Sequence, residues 1–276
     1  MTMFRLTPVD EVHLHHAPLA KVLMQVQYSR VPQLVTDAAE SIIADALGRY
    51  PVRRRQVVAG TLPAVVINGQ PIQLPAGASA GTVLLFSEPS DSWRVTVTET
   101  SVSLETTDYS TRDDFCDRAL EVFQAIARVA LPPVVDRVGL RYINRLADER
   151  LSRVAEFVIP QLHGLHGCVD EPLVVQHSVT DSLIEISETE RLQVRSGLLP
   201  AGAGFDPALP VLPRPSWVLD MDVYTIQGGF VFEADDLTVR LRRYAETVYA
   251  FFRFATTDAL QDEHRDERSP IMQDNR

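Results

Sequence analysis

The strongest periodic patterns in the chain belong to two long amphipathic helices, and each follows a group of strand-like segments. Residues 111–130 repeat apolar side chains every three or four positions, with Thr111 as a capping residue and two prolines after the end. Residues 235–261 show the same spacing over a longer stretch. A chain with two such helices, each closing a series of strands, is restricted to folds in which helices cover a sheet.

The strand patterns give the two halves of the chain the same order of elements. The segment SWRVTVTETSVSLETTDY (92–109) alternates apolar and polar residues, which is typical of two half-buried strands. Residues 1–133 and residues 134–262 each show a strand, a helix, about four strands and a helix, with GGFVFEA (228–234) as the last strand. Residues 263–276 are charged and lack an apolar stripe, so we expect a disordered tail there.

This order predicts an α+β protein with duplicated β-α-β(4)-α units. Two such units side by side would form a curved antiparallel sheet with helices on one face, and the halves would pack as one integrated unit. The order is similar to that of the TATA-box-binding-protein fold, whose sheet resembles a saddle. A similarity of this kind concerns the fold and does not by itself indicate a function.

The composition is that of an ordinary globular protein with an acidic balance. The chain has 276 residues, 45% of them hydrophobic, and its net charge of −11 disfavours binding to the phosphate backbones of nucleic acids. Only one of the 26 basic residues, Lys21, is a lysine, so the number of arginines alone does not indicate an anion site. No apolar run has the length of a signal peptide or a membrane span, and we expect a cytoplasmic protein without a membrane partner.

The segment RVGLRYINRL (137–146) has an unusual pattern of charge. Arginines recur at every fourth position in a segment that otherwise has the character of an apolar strand. Successive side chains of a strand point to opposite faces. One face therefore bears Arg137, Gly139, Arg141, Ile143 and Arg145, and the other bears Val138, Leu140, Tyr142 and Asn144.

Two interpretations of this arginine row remain open. The arginines could pair with carboxylates on a neighbouring strand, such as Asp220 and Asp222 in LDMDVY (219–224), which share one face of their strand. They could instead hold an anionic ligand, with Gly139 leaving room for its approach. In the second case, Arg141→Ala should weaken ligand binding and leave the melting temperature nearly unchanged.

Three segments together resemble a sporadically distributed family of functionally uncharacterised bacterial proteins of similar length. They are APLAKVLMQVQY (17–28), RVGLRYINRL and YAFFRFATTDALQ (249–261), and LDMDVY also looks like the family's late strand. The central family motif is Arg-Val/Ile-Gly-x-Arg-Tyr-x-Asn, and the positions carried over here are Arg137, Gly139, Arg141, Tyr142 and Asn144, with Arg145 outside the motif. The resemblance implies a single integrated unit, and it implies no known activity, catalytic residue or cofactor.

The candidate ligand-binding residues are Arg137, Arg141, Arg145, Tyr142 and Asn144. We expect no cofactor, with one alternative. Asp220 and Asp222 could bind a divalent metal, but a hard cation prefers about six oxygen ligands or more, and no second acidic cluster has a suitable spacing. The chain also lacks a nucleophile elbow and a phosphate-binding loop.

These features favour a non-enzymatic binding or interaction module. Its sheet face, or the groove between its halves, would bind a protein partner or an anionic small molecule. One alternative is a metal-dependent hydrolase acting on a phosphorylated substrate, with arginines holding the anion and Asp220 and Asp222 holding the metal. Another is nucleic-acid binding through the saddle-like sheet, which the acidic charge disfavours. The sequence leaves the oligomeric state open.

Overall fold

The structure, a computed structural model, describes residues 4–6, 18–58, 65–67, 70–72, 81–165, 168–169, 172–204 and 211–264. The strands are β1 (Leu19–Tyr28), β2 (Val52–Val58), β3 (Val65–Ile67), β4 (Gln70–Ile72), β5 (Gly81–Ser87), β6 (Trp93–Val97), β7 (Ser101–Thr106), β8 (Val135–Ala147), β9 (Ser178–Ser187), β10 (Glu190–Leu199) and β11 (Ser216–Thr225). The helices are α1 (Asp37–Ala46), α2 (Arg112–Val129), α3 (Glu149–Ser152), α4 (Val154–Phe157), α5 (Ala234–Ala255) and α6 (Asp258–His264).

The two long helices begin and end where local chemistry requires. At the start of α2, the Thr111 hydroxyl accepts a hydrogen bond from the Asp114 amide at 3.1 Å, and two aspartates occupy the positive end of the helix dipole. Prolines 132 and 133 prevent continuation of the helix. α5 likewise has Asp235 and Asp236 in its first turn and Arg253 in its last.

Nine strands form one antiparallel sheet in the order β2-β5-β6-β7-β1-β8-β11-β10-β9, and β3 and β4 form a separate two-stranded sheet. In each half of the chain the first strand lies beside the last one, so that β1 pairs with β7 and β8 pairs with β11. The halves meet where β1 pairs with β8, for example at Met24 opposite Leu140. The predicted mixed α+β architecture with one large antiparallel sheet is therefore confirmed.

The core lies on one face of this sheet. Alternate residues of β1, among them Val22, Met24 and Val26, are fully buried against apolar residues of α1, α2 and α5. A single apolar cluster contains residues from both halves of the chain. The opposite face bears Arg137 and Arg141 and carries no helix in the described part of the chain, and we call it the helix-free face.

The second half departs from the predicted unit in the number of its strands. Within its described residues, three strands rather than about four follow the helical segment, and residues 228–234 do not form a strand. Only Phe230 makes an isolated bridge there, with Val135. The chain bends at Gly229, which has a φ of +96°, and a Cβ at Gly228 would lie 2.6 Å from the backbone of Asp136.

The boundary of the predicted tail also differs. α6 continues to His264, so residues 263 and 264 are helical, while residues 265–276 lie outside the described residues. None of the helices in the described ranges combines the length and apolar character that crossing a membrane requires.

Candidate functional site

The arginine row lies at the centre of the sheet, on β8. This strand is 13 residues long and is flanked by β1 on one side and β11 on the other. Its arginines point to the helix-free face. On β11, the residues Asp220 and Asp222 point to the same face, and Asp222 is directly opposite Arg141 in the strand register.

Arg141 forms a two-point ion pair with Asp220. Its Nε donates to Oδ1 and its Nη2 donates to Oδ2, both at 2.7 Å. Arg141 is 8% exposed and Asp220 is 2% exposed, so the pair is removed from water. In the strand register, Asp220 lies diagonally across from Arg141 rather than directly opposite it. The Arg141 side chain reaches Asp220 because it leans along the strand.

The ion pairing continues across two further strands. On β10, an Nη atom of Arg195 lies 3.6 Å from Asp220, and its Nε donates to Asp181 on β9 at 3.1 Å. We call Arg141, Asp220, Arg195 and Asp181 the charge ladder. Burial alone would raise the pKa of Asp181, but hydrogen bonds from Gln193 and Arg195 lower it below its usual range.

Arg137 is held differently and is more accessible. Its Nη2 donates to Asp222 at 3.1 Å, and its guanidinium carbon lies 4.4 Å from the centre of the Tyr224 ring. The guanidinium also lies over Gly139, because a Cβ there would be only 2.7 Å from Nη1. The Arg137 side chain remains 27% exposed. We call Arg137, Gly139, Asp222 and Tyr224 the Arg137 site.

The pKa of Asp222 is raised above its usual range. Burial is the main cause, and the positive charges of Arg137 and Arg141 offset only part of it.

A depression of about 450 Å³ lies near Arg137, at the N-terminal end of β8, where the two halves of the chain meet. Its lining is polar and consists of Gln27, Tyr28, Ser29, Arg30, Thr100, Ser101 and Asp136. Gln27 is the direct β1 partner of Arg137, and Asp136 precedes Arg137 in the chain. The size is within the range of small-molecule sites.

Arg145 lies at the other end of the row. Its Nε donates to the Ser216 hydroxyl at 2.9 Å, and its amide donates to the Pro18 carbonyl at 2.6 Å. Burial lowers the pKa of Arg145. A small apolar cluster that includes Ile143 and Val218 lies on this face as well, so the helix-free face is not uniformly polar.

Tyr142 and Asn144 point away from the arginines, toward the helices. The Tyr142 hydroxyl donates to Tyr109 at 3.2 Å, and burial raises the pKa of Tyr142. Asn144 is 5% exposed and its amide nitrogen lies 3.5 Å from the Leu219 carbonyl. The five predicted ligand-binding residues thus divide between two faces, with only the arginines on the helix-free one.

The two carboxylates predicted as possible metal ligands, Asp220 and Asp222, both accept hydrogen bonds from arginines. Both oxygens of Asp220 accept hydrogen bonds from Arg141, and Asp222 accepts one from Arg137. A divalent cation bound there would have to displace both guanidinium groups. Within the described ranges, no three His, Cys, Asp or Glu side chains are grouped as metal ligands would be.

The outer part of the charge ladder, formed by Arg195 and Asp181, was not predicted from the sequence. The signal was present, since Arg191 and Arg195 are four residues apart and so are Asp181 and Glu185. Arg191 and Glu185 indeed pair at 2.9 Å. Matching charge spacing on adjacent strands could have predicted this pairing.

The comparisons with known proteins add no name to this site. No protein-family model matches the chain. A comparison with curated proteins finds no significant match either.

Proposed function

We propose that the protein is a non-enzymatic binding module that receives an anionic group on its helix-free face, at the Arg137 site. The group would be a carboxylate or a phosphate carried by a small molecule or by a protein partner. A guanidinium is well suited to either group because its donors match their planar geometry.

The observation that carries this proposal is the placement of Arg137. Gly139, Tyr224 and Asp222 hold its guanidinium in one position, so little conformational entropy is lost when a ligand binds. Asp222 uses only Nη2 of the guanidinium. The side chain remains partly exposed beside a polar depression, where further hydrogen bonds to a ligand are available.

Arg141 is less suited to binding a ligand than Arg137. Its two-point pair with Asp220 is buried, and an incoming anion would have to break it. The same pairing disfavours the metal-dependent hydrolase, because the two carboxylates would have to exchange arginines for a cation. Nucleic-acid binding is disfavoured as well, since Asp181, Asp220 and Asp222 share the helix-free face with the arginines.

The test compares Arg137→Gln with the wild-type chain. Native mass spectrometry of the freshly purified protein would first show any anionic ligand that accompanies it. The melting temperature would then be followed in titrations with inorganic phosphate and with citrate. We expect both anions to stabilise the wild-type protein. Their affinity for Arg137→Gln should be lower by a factor of up to about ten, which is the loss expected for one charge-assisted contact.

Arg94→Gln is the matched control. Arg94 lies on β6, on the same face, is 35% exposed and pairs with Glu105. It should bind both anions as the wild type does. Equal affinities of all three proteins for both anions would contradict the proposal.

We further propose a duplicated architecture and a cytoplasmic location for the protein. The placement of the first strand beside the last in each half supports a duplicated, TATA-box-binding-protein-like unit, with one sheet strand fewer among the described residues of the second half. Both cysteines, Cys116 and Cys168, have free thiols, which supports a cytoplasmic location.

A further inference from the structure

The two edges of the sheet differ in charge. At one edge, β2 carries three consecutive arginines, Arg53, Arg54 and Arg55. At the other edge, β9 carries Asp181 and Glu185 and contains no basic residue. Charged residues on an edge commonly protect it from pairing with other strands, and the arginines of β2 are suited to that role.

The outer edge of β9 is accessible. Six of its ten residues are exposed, and Leu183 at its middle is 61% exposed. Among the strands of the described residues, β9 pairs with β10 alone, so the backbone donors and acceptors on its other side have no strand partner there. Leu165 contacts the first residue of β9, where its amide donates to the Ser178 hydroxyl. β9 contains no proline or glycine that would interrupt pairing, and Val179, Ile184 and Ile186 favour extended structure.

The side chains of β9 present a specific pattern to a neighbouring strand. Asp181, Leu183 and Glu185 share the helix-free face, with the carboxylates four residues apart and the leucine between them. The Asp181 side chain is 51% exposed and that of Glu185 is 66% exposed, although Arg195 and Arg191 pair with them from β10. An added strand could approach both carboxylates from the open side.

We propose that β9 accepts an additional strand from a partner protein, and that this strand is basic. The matching segment is extended and carries Lys or Arg at two positions four residues apart, with an apolar residue midway between them. Backbone hydrogen bonds to the edge supply affinity, and the pairs with Asp181 and Glu185 supply selectivity. This surface is separate from the Arg137 site.

A second copy of this chain fits the edge less well. In an antiparallel β9–β9 pair centred on Leu183, Asp181 of one copy lies directly opposite Glu185 of the other. Like charges in directly opposite positions destabilise a strand pair. Self-pairing would therefore place the Asp181 and Glu185 carboxylates of one copy directly opposite those of the other, whereas a basic strand would place cations opposite them.

The test uses the full chain and three ten-residue peptides measured by fluorescence anisotropy. The first peptide alternates Thr with Lys, Val and Lys at the positions that meet Asp181, Leu183 and Glu185. The second has Glu in place of both lysines. The third is the lysine peptide with N-methyl groups on alternate backbone nitrogens along one edge, which removes its backbone donors there.

We expect the lysine peptide to bind about tenfold more tightly than the glutamate peptide, with a preference that falls at high salt. N-methylation on the pairing edge should abolish binding. The double variant Asp181→Lys/Glu185→Lys should reverse the preference between the two charged peptides. Asp45→Lys, an exposed charge reversal at the end of α1, should leave the preference unchanged.

Asp181 also pairs with Arg195, so the double variant can disturb the pairing of β9 with β10. Glu185→Gln is therefore used as a milder second variant. It should weaken lysine-peptide binding about threefold and leave glutamate-peptide binding no weaker. Equal binding of both charged peptides to the wild type would overturn the proposal. So would a dimer in sedimentation experiments that Asp181→Lys/Glu185→Lys dissolves, since β9 would then be occupied by a second copy.

Discussion

Asp220 accepts two hydrogen bonds from Arg141 while only 2% of its surface is exposed, and this arrangement determines the role of both residues. Moving a carboxylate out of water costs several kcal/mol, which its partners must offset. The pair therefore adds little net stability compared with apolar residues of the same size. Removal of one member alone, however, leaves the other charge buried and incompletely compensated.

Arg141→Met should lower the free energy of unfolding by about 3 kcal/mol. Arg195 remains 3.6 Å from Asp220 and limits the loss. The measurement is urea unfolding followed by far-UV circular dichroism. This expectation is opposite to the one that follows if Arg141 binds a ligand, since the melting temperature would then be nearly unchanged.

The double variant Arg141→Met/Asp220→Leu is the control, because it removes both buried charges at once. It should regain most of the lost stability. Arg94→Gln, which removes the partly exposed ion pairs with Asp91 and Glu105, should change the free energy of unfolding by about 0.5 kcal/mol or less. A similar small effect of Arg141→Met would contradict the structural role assigned to the pair.

The sequence indicated Asp220 and Asp222 as one set of possible partners for the arginines of β8, but it could not predict which carboxylate Arg137 and Arg141 each contact. In the strand register Asp222 lies opposite Arg141, yet Arg141 bonds to Asp220 and Arg137 bonds to Asp222. Long side chains lean along the strand, and their final direction depends on the packing of neighbours that are distant in sequence. Alternation correctly placed Tyr142 on the other face, whereas the motif grouped it with the arginines.

At the scale of elements, the buried carboxylate of Glu190 forms a polar link between α5 and the sheet. The Oε1 atom of Glu190, at the start of β10, accepts hydrogen bonds from Arg240 at 2.8 Å, from Tyr244 at 2.9 Å and from Arg243. The Glu190 side chain is 5% exposed. All three donors lie within the first half of α5, so this contact links that half of the helix to the start of β10, in addition to the apolar packing of α5.

Glu190→Gln should lower the free energy of unfolding by about 2 kcal/mol, because a buried acceptor loses its charge while the arginines keep theirs. Amide hydrogen exchange should accelerate in the N-terminal half of α5 more than in α2. Glu188→Gln, an exposed change two residues earlier, is the matched control and should alter neither measurement. Uniform acceleration throughout the chain would show that Glu190 has no local role at α5.

Elements with strong periodicity were predictable, and those whose limits depend on neighbours were not. The alternation in residues 92–109 correctly indicated β6 and β7, and the apolar stripe of residues 111–130 correctly indicated α2. Residues 228–234 are apolar enough for a strand, but Gly229 bends the chain there. Glu190 was not recognised because a single carboxylate carries no periodic signal.

At the scale of the whole molecule, neither the sheet nor the core is divided between the two halves. β1 and β8 pair along most of their length, and one apolar cluster contains residues of α1, α2 and α5. The long helices α2 and α5 are also joined by an ion pair between Arg242 and Asp117 at 2.8 Å. Unfolding of one half would expose core residues of the other, which is the condition for a single cooperative transition.

The two tryptophans provide a test, since Trp93 lies in the first half and Trp217 in the second, and both are buried. In Trp93→Phe and in Trp217→Phe, the remaining tryptophan reports on a different half. We expect the fluorescence and far-UV circular dichroism midpoints in urea to coincide within each variant. Separate midpoints in either variant would show that the halves unfold independently.

The position of β8 at the centre of the sheet has a consequence for synthesis on the ribosome. β1 emerges early and can pair with β7 once residues 101–106 have emerged, but its second neighbour begins only at Val135. Until then the nascent chain presents an unsatisfied edge of ten residues. Translation of the 13 residues of β8 takes on the order of a second, which is long compared with hairpin formation. In the interval before β8 emerges, the open edge of β1 is therefore able to pair with other strands.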